Sequence, residues 1–197
     1  MNRSISTGLN PVSPPRLGKV LGTALLLPLA FASPAIAEPG NDNRAPEVPA
    51  HLVAPAGSKV HFHTYAVGVQ IYVCTQSPTD PTQFTWTFKA PEAVLLDADG
   101  NPVGIHYAGP TWESESGSTV VGAVLQRANS PLPATIPWLL LEARSASGPG
   151  MFAGTTYIQR VNTVGGAAPS TGADAAHLGQ EVRVPYTAEY YFYRDTD

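Results

Sequence analysis

Between Phe84 and Phe88 the chain reads Phe-Thr-Trp-Thr-Phe, large aromatics alternating strictly with threonines. A period of two over residues with high strand propensity puts three aromatics on one face and two hydroxyls on the other, which a helix cannot do. The same period recurs along the chain. It is legible from Ser58 to Tyr65, with Val60 and Phe62 on one side and His61 and His63 on the other. In Val69 to Cys74, Val69, Ile71 and Val73 oppose Gln70, Tyr72 and Cys74. No stretch carries a sustained helical period. Shorter runs at Ala93–Leu96, Val120–Arg127, Ile136–Arg144, Phe152–Val161 and Ala188–Tyr193 are separated by turn signals such as Ser-Pro-Thr-Asp-Pro at 77–81 and Gly-Pro-Gly at 148–150.

About nine short strands with this punctuation predict an all-β fold, an antiparallel β-sandwich or a jelly-roll-like barrel with long loops. Gly68 is expected to separate the first two strands, and Pro185 to restrict its segment to an edge or a bend. The longest connection, 162–179, is rich in Gly, Ala and Ser. Asp97, Asp99 and Asn101 alternate as in an EF-hand loop, but Ala108 occupies the twelfth position, so a plain hairpin turn is expected.

Residues 1–37 have the pattern of a cleaved signal peptide. Arg3, Arg16 and Lys19 precede an apolar run from Val20 to Ala32, and Ala35-Ile36-Ala37 supplies small residues for cleavage. Gly22 and Pro28 interrupt the run, which falls short of the roughly 20 residues of a membrane span. The expectation is export to the periplasm or the extracellular space, with no transmembrane segment after cleavage. A flexible leader follows at 38–50, then a single domain at 51–197. Cleavage leaves eight basic against fifteen acidic residues, a formal charge of −7. That sign, and the lack of any Lys/Arg cluster, argue against nucleic acid as a partner. Cys74 is the only cysteine, so no internal disulfide forms; it is expected as a small buried hydrophobe in its strand.

The segment His106 to Glu113, His-Tyr-Ala-Gly-Pro-Thr-Trp-Glu, concentrates an imidazole, a carboxylate and two aromatics around a forced turn. Such a loop either faces a ligand or locks two strands together. Tyr107, Trp112 and Trp138 offer flat apolar surface, and His106, Glu113, Arg160 and Asn162 offer polar contacts, the combination that recognises a carbohydrate or a small amphiphilic molecule. This reading expects a concave surface with Trp112 exposed. The candidate ligand-binding residues are therefore His106, Tyr107, Trp112, Glu113, Arg160 and Asn162. An alternative is a secreted hydrolase of glycans or esters, with Glu113 or Glu115 as acid and Asp174 as its partner carboxylate. A structural or surface-associated protein is the third reading. A His-x-His metal site at His61 and His63 lacks the glutamate of a cupin, since Ala66 and Val67 stand in its place. Neither a metal nor a cofactor is expected, and no nucleophile elbow or phosphate-binding motif occurs.

Six blocks in order are similar to the domain-of-unknown-function 3455 family of exported bacterial and fungal proteins: Gly-Val-Gln-Ile-Tyr (68–72), Lys-Ala-Pro-Glu-Ala (89–93), His-Tyr-Ala-Gly-Pro-Thr-Trp-Glu (106–113), Ile-Pro-Trp-Leu-Leu-Leu (136–141), Tyr-Ile-Gln-Arg-Val-Asn-Thr-x-Gly-Gly (157–166) and Val-Pro-Tyr-Thr-Ala-Glu-Tyr-Tyr-Phe-Tyr (184–193). The resemblance runs from about Val48 onward and brings no activity or catalytic residue with it. It does imply one departure: members often carry a Cys just before the Asp-Ala that matches Asp174-Ala175, where this chain has Ala173. A pairing of that Cys with the one matching Cys74 would be a staple this chain has lost.

Overall fold

The computed structural model describes residues 44–196. The expected signal peptide and the first part of the leader lie outside the described residues. Eight strands follow one another: β1 Ser58–Gln76, β2 Phe84–Leu96, β3 Pro102–Tyr107, β4 Thr111–Ser114, β5 Thr119–Ala128, β6 Trp138–Ser147, β7 Tyr157–Gly165 and β8 Glu181–Asp195. All neighbours are antiparallel, and β8 returns to pair with β1, so the sheet closes into a barrel. Consecutive strands are always adjacent. The all-β expectation therefore holds in its barrel form, with meander connections in place of jelly-roll crossovers.

Two pairs of expected short strands are each one long strand: the runs on either side of Gly68 form β1, and Phe84–Phe88 and Ala93–Leu96 form β2. Gly68 does not break β1; it lies opposite Ala93 of β2, so close that a Cβ there would run into the Glu92 carbonyl and the Ala93 backbone. The missing side chain permits a close approach between strands, which is the other use of a strand glycine. Pro185 likewise sits inside β8. It pairs with Val69 of β1, while β7 ends at Gly165 opposite Tyr186, so β8 is locally an edge where a proline is tolerated. A further correction concerns the first histidines. The β1–β8 register slips between Val60 and Phe62, which makes His61 an extra residue in the ladder. Val60 consequently joins an outer cluster with Val161, Tyr191 and Tyr193, whereas Phe62 packs into the barrel interior. Expected strand Phe152–Val161 begins later, at Tyr157, and Phe152 belongs to the loop before it.

The meander puts loops β2–β3, β4–β5 and β6–β7 at one end of the barrel. That end is plugged. Phe152, from the β6–β7 loop, is fully buried against Phe192 at 4.8 Å and edge-on to Phe62 at 6.2 Å. Its amide donates to Ser118 Oγ (3.2 Å), which in turn bonds Ser114 Oγ (2.8 Å), so the plug is pinned to the β4–β5 turn. The Asp97 turn is also at this end, and the Asp97 carboxylate accepts the amides of Asp99 and Asn101, the plain hairpin expected. Outside the wall, Val48 and Ala54 pack on the outer cluster just ahead of β1, and Gln159 Nε2 donates to the carbonyl of buried Leu52.

Candidate functional site

The opposite end carries the turn Ala108-Gly109-Pro110 between β3 and β4. Gly109 has φ 119°, a conformation that favours glycine, and the Thr111 hydroxyl closes the turn on the Ala108 carbonyl. The tight turn pairs His106 with Trp112 across the hairpin and fixes which face each residue takes. His106 and Trp112 point inward and stack at 4.4 Å and 14°. Tyr190 meets both rings edge-on, at 5.1 Å and 5.3 Å. Tyr107 and Glu113 point outward, the Tyr107 hydroxyl donating to Glu113 Oε2 at 2.8 Å. That bond raises the Tyr107 pKa, with a smaller contribution from what solvent it loses.

His106 Nδ1 donates to the Thr111 carbonyl at 2.8 Å, which leaves Nε2 as the unprotonated nitrogen of a neutral ring. Complete burial pulls its pKa down to about 3, against the upward pull of the Thr111 bond and with help from the Arg160 charge. The imidazole is a fixed neutral acceptor, not a proton shuttle near neutral pH.

Between the hairpin and the β5–β6 loop lies a cavity of about 480 Å³. Ile136, Leu139, Leu141 and Val124 give it an apolar wall; His106, Trp112, Gln70 and Tyr190 line the inner side; Phe88, Lys89 and Arg127 stand at an exposed rim. Arg160, from β7, reaches the wall with Nε and Nη2 both donating to the Pro137 carbonyl, at 3.2 Å and 2.9 Å. Of the inner polar atoms, Trp112 Nε1 has no protein partner, while the Tyr190 hydroxyl is shared with Tyr186 and Arg160 and the Gln70 amide meets Tyr186. The charges around the cavity are Lys89, Arg127 and Arg160, and no Asp or Glu lines it, although the chain as a whole is net negative.

Of the six residues singled out in the sequence, the structure thus brings His106, Trp112 and Arg160 together. Trp112 is 1% exposed, so the expectation of an exposed tryptophan is corrected: the hairpin stacks it on His106, and it reaches the cavity only as wall. Tyr107 and Glu113 sit on the outer surface of the hairpin. Asn162, at φ 49° in a bulge of β7, donates to Glu189 Oε1 on the barrel exterior. Sequence reasoning missed Gln70 and Tyr190 as cavity residues. Gln70 had a signal: a glutamine flanked by apolar strand residues, on the face shared with Tyr72 and Cys74, is unusual unless that face meets something polar.

A family model described as protein of unknown function (DUF3455) matches residues 55–194. The chain belongs to the DUF3455 family. The match begins just ahead of β1 and ends within β8, so the entire barrel with both its ends is the family's domain. No curated protein and no solved structure matches the chain.

Elsewhere in this DUF3455 member His61, His63, Glu189, Asp174 and His177 are engaged by local partners. The His61 bulge sends its ring to Thr155 Oγ1 (3.1 Å), and burial, aided by Arg194, lowers its pKa to about 4. His63 stacks on Tyr191 at 4.1 Å and contacts Glu189 at 3.1 Å; that bond and those from Asn162 and Tyr191 outweigh burial and hold the Glu189 carboxyl low. No grouping of three His, Cys, Asp or Glu able to hold a metal ion occurs among the described residues. Asp174 caps a 3-10 turn and contacts His177 Nδ1 at 2.7 Å; its carboxylate is exposed, as is Glu115. Buried Cys74 directs its thiol to the Asp174 carbonyl at 3.6 Å, beside Ala173, the proximity that the pairing implied by the family resemblance requires. No helix among the described residues is long and apolar enough to cross a membrane.

Proposed function

We propose that this chain is an exported, non-enzymatic binding protein that takes a small amphiphile into the open end of the barrel. The observation that carries the reading is the cavity itself. At about 480 Å³ it falls within the ~300–1,000 Å³ of small-molecule sites. It combines an apolar wall with a few convergent polar groups, and it is held by strands and one tight hairpin, so it needs no rearrangement to form. The neutral His106 and the outward Glu113 give the cavity no acid–base pair, which favours binding over hydrolysis.

The test is calorimetric titration of the purified domain with two simple probes, octanoate and 1-octanol, on wild type and Val124→Trp. Val124 is exposed at the cavity's edge, so an indole there obstructs entry without repacking the interior. Saturable binding of either probe, lost in the variant at unchanged thermal stability, supports the reading; heats that are non-saturable and indifferent to Val124→Trp defeat it. Export rests on the pattern of residues 1–37. Its check is amino-terminal sequencing of protein recovered outside the cytoplasm, which should begin at Glu38.

A further inference from the structure

Arg160 is half-buried and makes no ion pair among the described residues. Its Nε and Nη2 both donate to a single neutral acceptor, the Pro137 carbonyl, and its other side-chain contact is the Tyr190 hydroxyl, so no anionic group answers its charge. A guanidinium in that position has lost part of its hydration and gained no counter-charge, an arrangement that costs stability unless something else compensates. It lines the cavity together with Tyr72, His106 and Tyr190, and its charge acts on these three and on Tyr186 behind them. None of those four is an anion near neutral pH: burial raises the pKa of each tyrosine, and the imidazole is uncharged. Of the remaining polar atoms of the wall, Trp112 Nε1 is a hydrogen-bond donor without a partner, and the side chains of Gln70 and Tyr190 meet only uncharged Tyr186 and cationic Arg160. Donors and one fixed cation, with no carboxylate, describe the complement of an anion.

We infer that the ligand is an amphiphilic carboxylate, its head paired with the Arg160 guanidinium beside Tyr190, Trp112 and Gln70, and its apolar body laid along Ile136, Leu139 and Leu141. This rests on the binding reading above and sharpens it to a ligand class. A single inner cation with a planar fork suits a monoanion. The two further cations of the cavity, Lys89 and Arg127, stand exposed at its rim, and Lys89 is already drawn to Glu181, so a dianionic phosphate seated on Arg160 would keep part of its charge unmatched at the inner wall.

The experiment compares octanoate, octyl phosphate and 1-octanol by calorimetry on wild type, Arg160→Gln and Arg160→Lys at pH 7.5. Octanoate is expected to bind wild type at least about tenfold more tightly than 1-octanol, the range of a charge-assisted hydrogen bond. In Arg160→Gln the two should become equal, with Arg160→Lys in between. Equal affinities on wild type would overturn the carboxylate assignment while leaving amphiphile binding intact; failure of every probe to bind would remove the binding reading itself. Octyl phosphate binding more tightly than octanoate would also overturn the assignment. If Arg160→Gln does not fold, the wild type decides. Octanoate should lose its advantage over 1-octanol when the pH falls below the probe's own pKa, and an advantage that persists would count against the pairing.

Discussion

The two ends of this barrel are built from the same kinds of residue and put them to opposite uses. At the plugged end, Phe62, Phe152 and Phe192 fill the interior and a serine ladder satisfies the backbone around them. At the open end, Trp112, His106 and Tyr190 also stack, but the layer stops short and leaves a cavity edged by the Arg160 guanidinium and the unpartnered indole N–H of Trp112. The difference is a loop. β6–β7 returns a phenylalanine into the barrel, whereas β3–β4 turns too tightly to return anything. Packing to density gives stability at one end; leaving a layer incomplete at the other gives up some of it for room.

Truncation is the harshest way to break the comparison. Phe152→Ala empties the plug and should cost about 3–5 kcal/mol in chemical denaturation; a loss under 1 kcal/mol would mean the plugged end is not the tighter one. Acid acts on the open end next. His106 is neutral in the fold with a pKa of about 3, against 6.5 for the ordinary imidazole. Between those values the unfolded chain binds the extra proton, so the contribution of His106 is fully present above pH 6.5 and declines as pH falls toward 3. The slope is about 1.4 kcal/mol per pH unit. Urea unfolding at pH 7, 6 and 5 should show the decline, and His106→Gln should flatten it relative to wild type. Leu139→Ala removes a similar apolar mass to other core truncations but beside existing space. It should cost about 2 kcal/mol or less, at the bottom of the range for such changes, because the cavity wall has fewer neighbours to lose. The mildest change is Tyr107→Phe on the outer face of the hairpin. It deletes the bond to Glu113 and should cost about 0.5–1 kcal/mol by denaturation, leaving octanoate affinity unchanged.

Much of this was legible in the residues. Alternation at 84–88, the Asp97 turn and the terminal aromatic run report an antiparallel all-β fold, sandwich or barrel, because period two survives wherever one face is buried. The hairpin at His106–Glu113 declares itself through Gly109-Pro110. What did not read correctly were places where one residue departs from the period. His61 adds a residue to the ladder and reverses the parity behind it; Gly68 has the composition of a break but is accommodated by what lies across from it, whereas Pro185 does sit at the local edge expected of it. Those facts belong to the partner strand, not to the segment. The site followed the same rule: residues i and i+6 of the hairpin, His106 and Trp112, could be paired from sequence. The neighbours Gln70 and Tyr190 came only with closure.

The seam between β1 and β8 has a kinetic meaning. It joins Ser58 to Asp195 and continues through fifteen paired positions, so the first and last strands of the domain are mutual neighbours. Nearly the whole chain must be available before that ladder can form, and its loop-closure entropy must be met before any of its contacts reward it. Folding should be slow for the domain's size, on the order of milliseconds to seconds, and until the seam shuts, β1 presents its full nineteen-residue edge to other chains. A chain that must stay unpaired while it crosses a membrane would gain from such a late closing step.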